Sequence, residues 1–208
     1  MTGRFIAFEG GEGTGKSTQV RLLAEALSAK GLAVVSTREP GGTPGAEAIR
    51  ELLLSPPGGD WPMRSEALLF AAARADHVAN LIRPALARGE WVLCDRFIDS
   101  SRAYQGAAGG MGYEAINVLH GFGSEGLEPD LTFVLTMDDG TREQRLAKRD
   151  RGISDAIGGR DATFHGRVAN AFLVLAHGPA HVLIDGGRSV EEVHREILCH
   201  VEDRFDLQ

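Results

Sequence analysis

The chain has 208 residues, 43% of them hydrophobic and 25% charged, which suffices for one sizeable core and is ordinary for a globular protein. Its formal net charge of −7 argues against a protein that wraps nucleic acid, although a local basic site could still hold a phosphate. The two cysteines, Cys94 and Cys199, are far apart and form no disulfide framework, no run reaches membrane-spanning length, and the N-terminus lacks a basic-then-apolar leader, so a soluble cytoplasmic protein is expected.

Residues 4–8 are apolar and aromatic and predict a buried strand. Gly10-Gly11-Glu12-Gly13-Thr14-Gly15-Lys16-Ser17 follows and satisfies G-x-x-x-x-G-K-[ST] at every fixed position. Residues 17–27 then keep Val20, Leu23, Ala24 and Leu27 on one face, as an amphipathic helix does. Strand, glycine loop and helix are the context this phosphate-binding motif requires. Its N–H groups wrap an anion, and the helix N-terminus adds unsatisfied donors and partial positive charge. Gly10, Gly11, Glu12, Gly13, Thr14, Gly15, Lys16, Ser17 and Thr18 are therefore candidate ATP-binding residues, with Lys16 reaching the outer phosphates and Ser17 ligating Mg2+.

A second strand is expected over residues 32–37, apolar on both faces as inside a parallel sheet. Residues 38–45, with two prolines and three glycines, make a shaped loop before a short helix over 46–54. Residues 64–88 are mostly helical, with Pro84 marking a kink or a break. The third strand covers 90–94, with Asp95-Arg96 at its end, and a helix begins over 97–105. Residues 106–112 read as a loose, mobile glycine-rich stretch, 113–121 as a helix, 131–136 as the fourth strand and 141–149 as a helix. Residues 149–160 are charged and glycine-punctuated, and predict a mobile lid or, alternatively, an exposed hairpin. A helix over 164–175, a strand over 181–184 and a last helix follow, the last capped by Ser189 with Glu192 three residues on and facing Val193 and Ile197 inward. Five strands alternating with helices predict an α/β, P-loop three-layer fold with a five-stranded parallel sheet flanked by helices. The domain spans residues 1–208, with the lid at about 149–163.

Ligands in such sheets bind beyond the strand C-terminal ends, where the glycine loop, Arg38, Asp95, Asp138 and Asp185 all fall. Glu9 could accept from a sugar hydroxyl or hold a metal-bound water; alternatively it is a strand-end charge paired with an arginine. Arg38, Arg50 and Arg96 could converge on a second phosphate, since the guanidinium fork meets phosphate oxygens bidentately, or each could be a solvated charge. Asp95 occupies the usual place of the metal-site carboxylate, with a capping aspartate as the alternative. Lid arginines would close over the transferring phosphoryl and exclude water. His77, His120, His165 and His177 read as helix-surface or helix-terminal residues. A kinase for another acceptor and a nucleotide-dependent switch are the competing functions.

Four segments resemble bacterial thymidylate kinases: residues 8–19, Arg38-Glu39-Pro40-Gly41-Gly42-Thr43-Pro44, Leu69-Phe70-Ala71-Ala72-Ala73-Arg74-Ala75-Asp76-His77, and Asp95-Arg96-Phe97 through Ala103-Tyr104-Gln105. The resemblance spans nearly the whole chain and implies ATP-dependent phosphorylation of dTMP to dTDP in dTTP synthesis, with Mg2+, by a homodimer that takes neither nucleic acid nor membrane as a partner. It implies that Phe70 stacks on thymine, Arg74 donates to its O4, and Ser101 or Gln105 lies near N3. Tyr104 would crowd a ribose 2′-OH, Glu9 would approach the 3′-OH, Arg38, Arg50 and Arg96 would hold the monophosphate, and Pro40 would shape the pocket.

The family divides by where its catalytic arginine resides. Neither Glu12 nor Gly13 in the loop is basic, so the chain resembles the type that takes arginines from the lid. Arg149, Arg151 and Arg160 would then act with Lys16 and Arg96 as catalytic residues. The usual acidic-arginine pair and the glutamate beyond it appear as Gly159-Arg160-Asp161, and the segment before Phe164 is shorter than usual. Asp139 and Thr141 stand where an apolar residue and a proline usually follow Asp138, which alters a helix start.

Overall fold

The computed structural model describes residues 3–138, 140–141, 145 and 157–207. Five parallel strands lie in the order β2-β3-β1-β4-β5: β1 (Phe5–Gly10), β2 (Val34–Arg38), β3 (Trp91–Asp95), β4 (Leu131–Thr136) and β5 (His181–Asp185). Every residue of β1 is buried, because it is the central strand and is covered on both faces. Alternation along the strands divides the core. Ile6, Phe8, Leu93 and Phe133 face α1 (Lys16–Ala29) and the C-terminal helix Val190–Phe205, through Leu23, Leu27, Val193 and Ile197. Phe5, Ala7, Val92 and Cys94 face the opposite layer, formed by α3 (Met63–His77), α4 (Arg83–Ala87) and α6 (Tyr113–Gly123). The expected three-layer α/β fold is the one observed.

Local chemistry sets the element ends. α2 (Pro44–Leu54) starts two residues before its expected start, because Thr43 Oγ1 accepts from the Ala46 N–H at 3.3 Å and Pro44 opens the first turn. The C-terminal helix has the expected capping box, with Ser189 and Glu192 satisfying each other's backbone. Pro84 breaks nothing: the helix widens over Val78–Ile82 into a π turn, closed by the Arg83 N–H on Val78 O, and continues as α4. A second π segment, Arg102–Ala108, follows α5 (Ile98–Ser101) and takes in residues 106–108 of the stretch expected to be loose, while residues 109–111 form a turn and bend. Gly106 is buried in it, and the N–H groups of Gly109, Met111 and Gly112 donate to Tyr104, Gln105 and Gly106 carbonyls. α7 (Ala162–Leu175) packs Phe164, Val168 and Phe172 around Tyr104. Most of the helix expected over 141–149 and most of the lid, including Arg149 and Arg151, lie outside the described residues.

Candidate active site

The glycine loop leaves β1 where the sheet order reverses direction, with β3 on one side and β4 on the other. Gly10 makes that exit possible: its φ is 128°, and a Cβ there would lie 2.1 Å from the Leu135 carbonyl oxygen. Thr14 Oγ1 donates to Gly11 O at 2.9 Å, and Gly15, with φ 96°, delivers the chain into α1. Lys16 Nζ folds back to donate to Gly11 O at 2.6 Å. Burial lowers its pKa to about 7; the Arg96 guanidinium adds to the lowering, while Asp95, Glu9 and Glu12 oppose it.

Sheet register assembles the rest of this end. Asp95 pairs with Arg38 across β2–β3 and with Phe8 across β1–β3. Ser17 Oγ donates to Asp95 Oδ2 at 2.5 Å, so a hydroxyl and a carboxylate stand together. Arg96 has a left-handed backbone, φ 70°, an unfavourable conformation for a side chain of its kind. Its N–H is held by Phe8 O at 2.8 Å, and its Nη1 reaches Gly10 O at 3.0 Å and Ser100 Oγ at 3.1 Å. The guanidinium carbon lies 5.4 Å from the centre of the Tyr104 ring.

Glu9 is fully buried and accepts from the Phe97 N–H at 2.7 Å, the Ser100 N–H at 3.1 Å and Ser100 Oγ at 2.6 Å. Burial raises its pKa to about 7, with Asp99 adding to the effect. Its hydrogen bonds order the start of α5, behind the wall of the site.

A buried network runs from the cavity wall, which Glu39 joins, into the loop after β2. Glu39 takes Arg74 Nε at 2.7 Å on one oxygen and His77 Nδ1 at 3.1 Å on the other, while His77 Nε2 meets Thr37 Oγ1 at 2.7 Å. His77 ends α3 and His120 lies in the last turn of α6, as the helix-terminal alternative has it, but both are buried and neither is a helix-surface residue. Arg74 Nη2 also donates to Phe97 O at 3.1 Å and Ser101 Oγ at 3.0 Å. Gly42, with φ 92°, leaves the room His77 occupies, since a Cβ there would come within 2.6 Å of His77 Nε2. Arg50 Nη1 donates to Pro40 O at 2.7 Å, and Arg38 Nη2 to Glu47 Oε1 at 2.9 Å.

One cavity of about 830 Å³ collects most of these residues. Residues 12–18 line it together with Arg38, Pro40, Arg50, Phe70, Asp95, Arg96, Ser101, Tyr104 and Gln105. Gly10, Gly11, Glu9 and Arg74 are not on its wall. Asp138 and Asp185 are not either: they accept from the Thr141 and Gly187 N–H groups, both at 2.9 Å. Arg160, expected among the catalytic arginines, is not among the residues that line the cavity. Its Nη2 pairs with the buried Glu66, and its guanidinium carbon lies 4.6 Å from the Phe164 ring centre.

Sequence reasoning missed two cavity arginines. Arg145 brings Nη1 to 3.8 Å from where a Cβ on Gly15 would stand, and Arg188 lines the cavity from the turn after β5. The strand-end rule that singled out Asp185 could have found Arg188 three residues on. Arg145 gave no comparable signal, since a basic residue inside a helix ordinarily reads as solvated surface.

A glycine loop at the reversal point of a parallel sheet, sharing its cavity with a separate arginine cluster, defines a P-loop nucleotide phosphotransferase. Residues 8–197 match the thymidylate kinase family profile. The chain is 54% identical to a thymidylate kinase of Rhizorhabdus wittichii over 98% of its own length and 99% of the relative's. It is 47% identical to one of Chromohalobacter salexigens, with 98% and 97% covered. A crystal structure of thymidylate kinase from Ehrlichia chaffeensis superposes with a TM-score of 0.78 at 34% identity, covering 97% of this chain and all of that one. The chain belongs to the thymidylate kinase family.

Proposed function

We propose that this protein transfers the γ-phosphoryl group of ATP to dTMP, giving dTDP and ADP on the way to dTTP. The observation that carries the reading is the continuity of one cavity from the glycine loop to Phe70 and Gln105. ATP phosphates would occupy the loop, with Lys16 leaving Gly11 O to meet them. Ser17 and Asp95 offer the hard oxygen donors that suit Mg2+, which needs few protein ligands beside phosphate. The bound ion would neutralise charge on the transferring phosphoryl.

On the acceptor side, Arg38, Arg50 and Arg96 would clamp the monophosphate. Arg96 is the group between the two halves, fixed by Gly10 and Ser100. Phe70 would stack on thymine, and Pro40 and Tyr104 would bound the base and sugar. Ser101 and Gln105 would meet the base edge. Arg74 would act on it through the Ser101 hydroxyl, which already accepts a hydrogen bond from its Nη2. The attacking phosphate oxygen is anionic, so no strong base is needed, and Glu9 serves by holding Phe97 and Ser100. Arg145 would supply charge at the loop, and Arg149 and Arg151 are the lid candidates for the transferring phosphoryl.

ATP consumption with Mg2+ should be strong with dTMP and weak with dUMP, dCMP, dGMP, AMP and thymidine. A flat response across these acceptors would sink the acceptor assignment.

We further propose a cytoplasmic homodimer. Leu68 on α3 and Val118 and Phe122 on α6 are 57%, 65% and 92% exposed, an apolar face on two helices that pack together. Among the described residues no helix is long and apolar enough to cross a membrane. Phe122→Lys should shift the sedimenting species from dimer to monomer; a wild-type monomer at micromolar concentration would overturn the assignment.

A further inference from the structure

Gln105 carries information that its position alone does not give. A carboxamide can present either its oxygen or its NH2 to a ligand, and the two ends are nearly the same shape. Here the choice is made from behind. Gln105 is buried at the base end of the cavity, and its Nε2 donates to Glu66 Oε1 at 2.7 Å. The other oxygen of Glu66, itself buried on the first turn of α3, accepts from Arg160. Arginine can only donate, and a carboxylate can only accept. Turning Gln105 over would set its oxygen against a carboxylate oxygen in a buried site, where an unpaired polar contact is costly.

We propose that Glu66 is a specificity-setting positioning residue: by holding Gln105 Nε2, it commits Gln105 Oε1 to accept a hydrogen from the nucleotide base. Next to it, Ser101 Oγ accepts from Arg74, which leaves the hydroxyl hydrogen of Ser101 to be donated elsewhere. The wall thus offers one acceptor and one donor, the complement of a 4-oxo pyrimidine with N3–H and O4. A 4-amino pyrimidine presents the reverse pattern and would face two mismatches. Rejection of this kind is strong because the buried groups of the site are left unpaired. The inference rests on the reading that the base lies against Gln105.

The test is binding and turnover of dTMP and dCMP by Glu66→Gln. Its new carboxamide can donate to Gln105 Oε1 and so permits the flip. The ratio of dTMP to dCMP affinity should fall by about tenfold or more, through a higher KM for dTMP with the KM for ATP unchanged. A wild-type ratio in a normally folded Glu66→Gln would overturn the proposal. Arg160→Gln keeps the carboxylate and should keep the ratio; an equal loss there would assign the effect to the Arg160 contact and sink the Glu66 role. Gln105→Ala separates the two layers. Unchanged dTMP affinity in it means the base does not lie there, whereas a weakened affinity beside an inert Glu66→Gln removes only the present inference. In the wild-type protein, the Gln105 side-chain amide protons should stay exchange-protected by Glu66 with and without dTMP. Unprotected Gln105 amide protons in the free protein would mean that Glu66 does not hold Nε2, which overturns the proposal without any variant.

Discussion

Lys16→Met is expected to lower kcat by about 10²–10³-fold, the usual loss when one preorganised charge is withdrawn from a transition state, while raising the thermal midpoint at pH 7. The activity loss follows from its place at the start of α1, in the loop wall of the cavity. The gain in stability follows from burial, which lowers its pKa from the ordinary 10.5 to about 7. The unfolded chain keeps the proton until about 10.5, so between pH 7 and 10.5 it binds more protons than the folded chain does. Wild-type stability therefore rises with pH across that window. Below it, the folded state bears the full cost of a buried ammonium; above it, the cost is gone. Methionine has no such dependence. The gain in midpoint should be largest at and below pH 7 and vanish toward 10.5, as followed by circular dichroism melts at several pH values. A gain that does not change with pH, or a loss at every pH, would remove burial of the charge as its cause.

What was legible in the chain was what depends on near neighbours. The apolar runs of β1, β3 and β4, the glycine loop and the Ser189–Glu192 box each carry their signal within a few residues, and each formed where expected. The two π segments were not legible, because helical periodicity does not distinguish a turn widened by one residue. Gly106 reads locally as a breaker. In the fold its lack of a side chain admits Tyr113 and Ile116, whose atoms would lie 3.3–3.4 Å from a Cβ there, so packing against α6 overrides the local preference.

The same distinction holds at the site. Arg38, Asp95 and Arg96 sit at strand ends, where the fold class directs attention, and the cavity contains all three. Arg160 could not be placed, because its partner Glu66 lies 94 residues earlier and no spacing rule connects them. His77 reads as an ordinary helix end until the loop after β2 is folded over it.

That buried loop support carries the second large effect. Glu39→Ala should destabilise the protein by about 3–5 kcal/mol, the cost of breaking a buried ion pair from one side. For a domain of this size that is a fall of about 6–20 °C in midpoint. Both oxygens of Glu39 are used, by Arg74 and by His77, and all three side chains are buried. Alanine would leave the Arg74 charge with carbonyl and hydroxyl acceptors only among its described partners. The loss should be partly recovered in Glu39→Ala/Arg74→Met, because removing the stranded charge removes its desolvation cost. Additive losses in that double variant, or a single-variant midpoint within 2 °C of wild type, would mean the pair contributes little. The functional readout is separable from the structural one. Ser101 Oγ depends on Arg74 for its donor, whereas Thr14 and Lys16 donate within the glycine loop, to Gly11 O. The KM for dTMP should therefore rise in Glu39→Ala at a temperature where the protein is folded, with the KM for ATP unchanged. Equal rises in both would show instead that the loop after β2 supports the whole cavity and not the base edge alone.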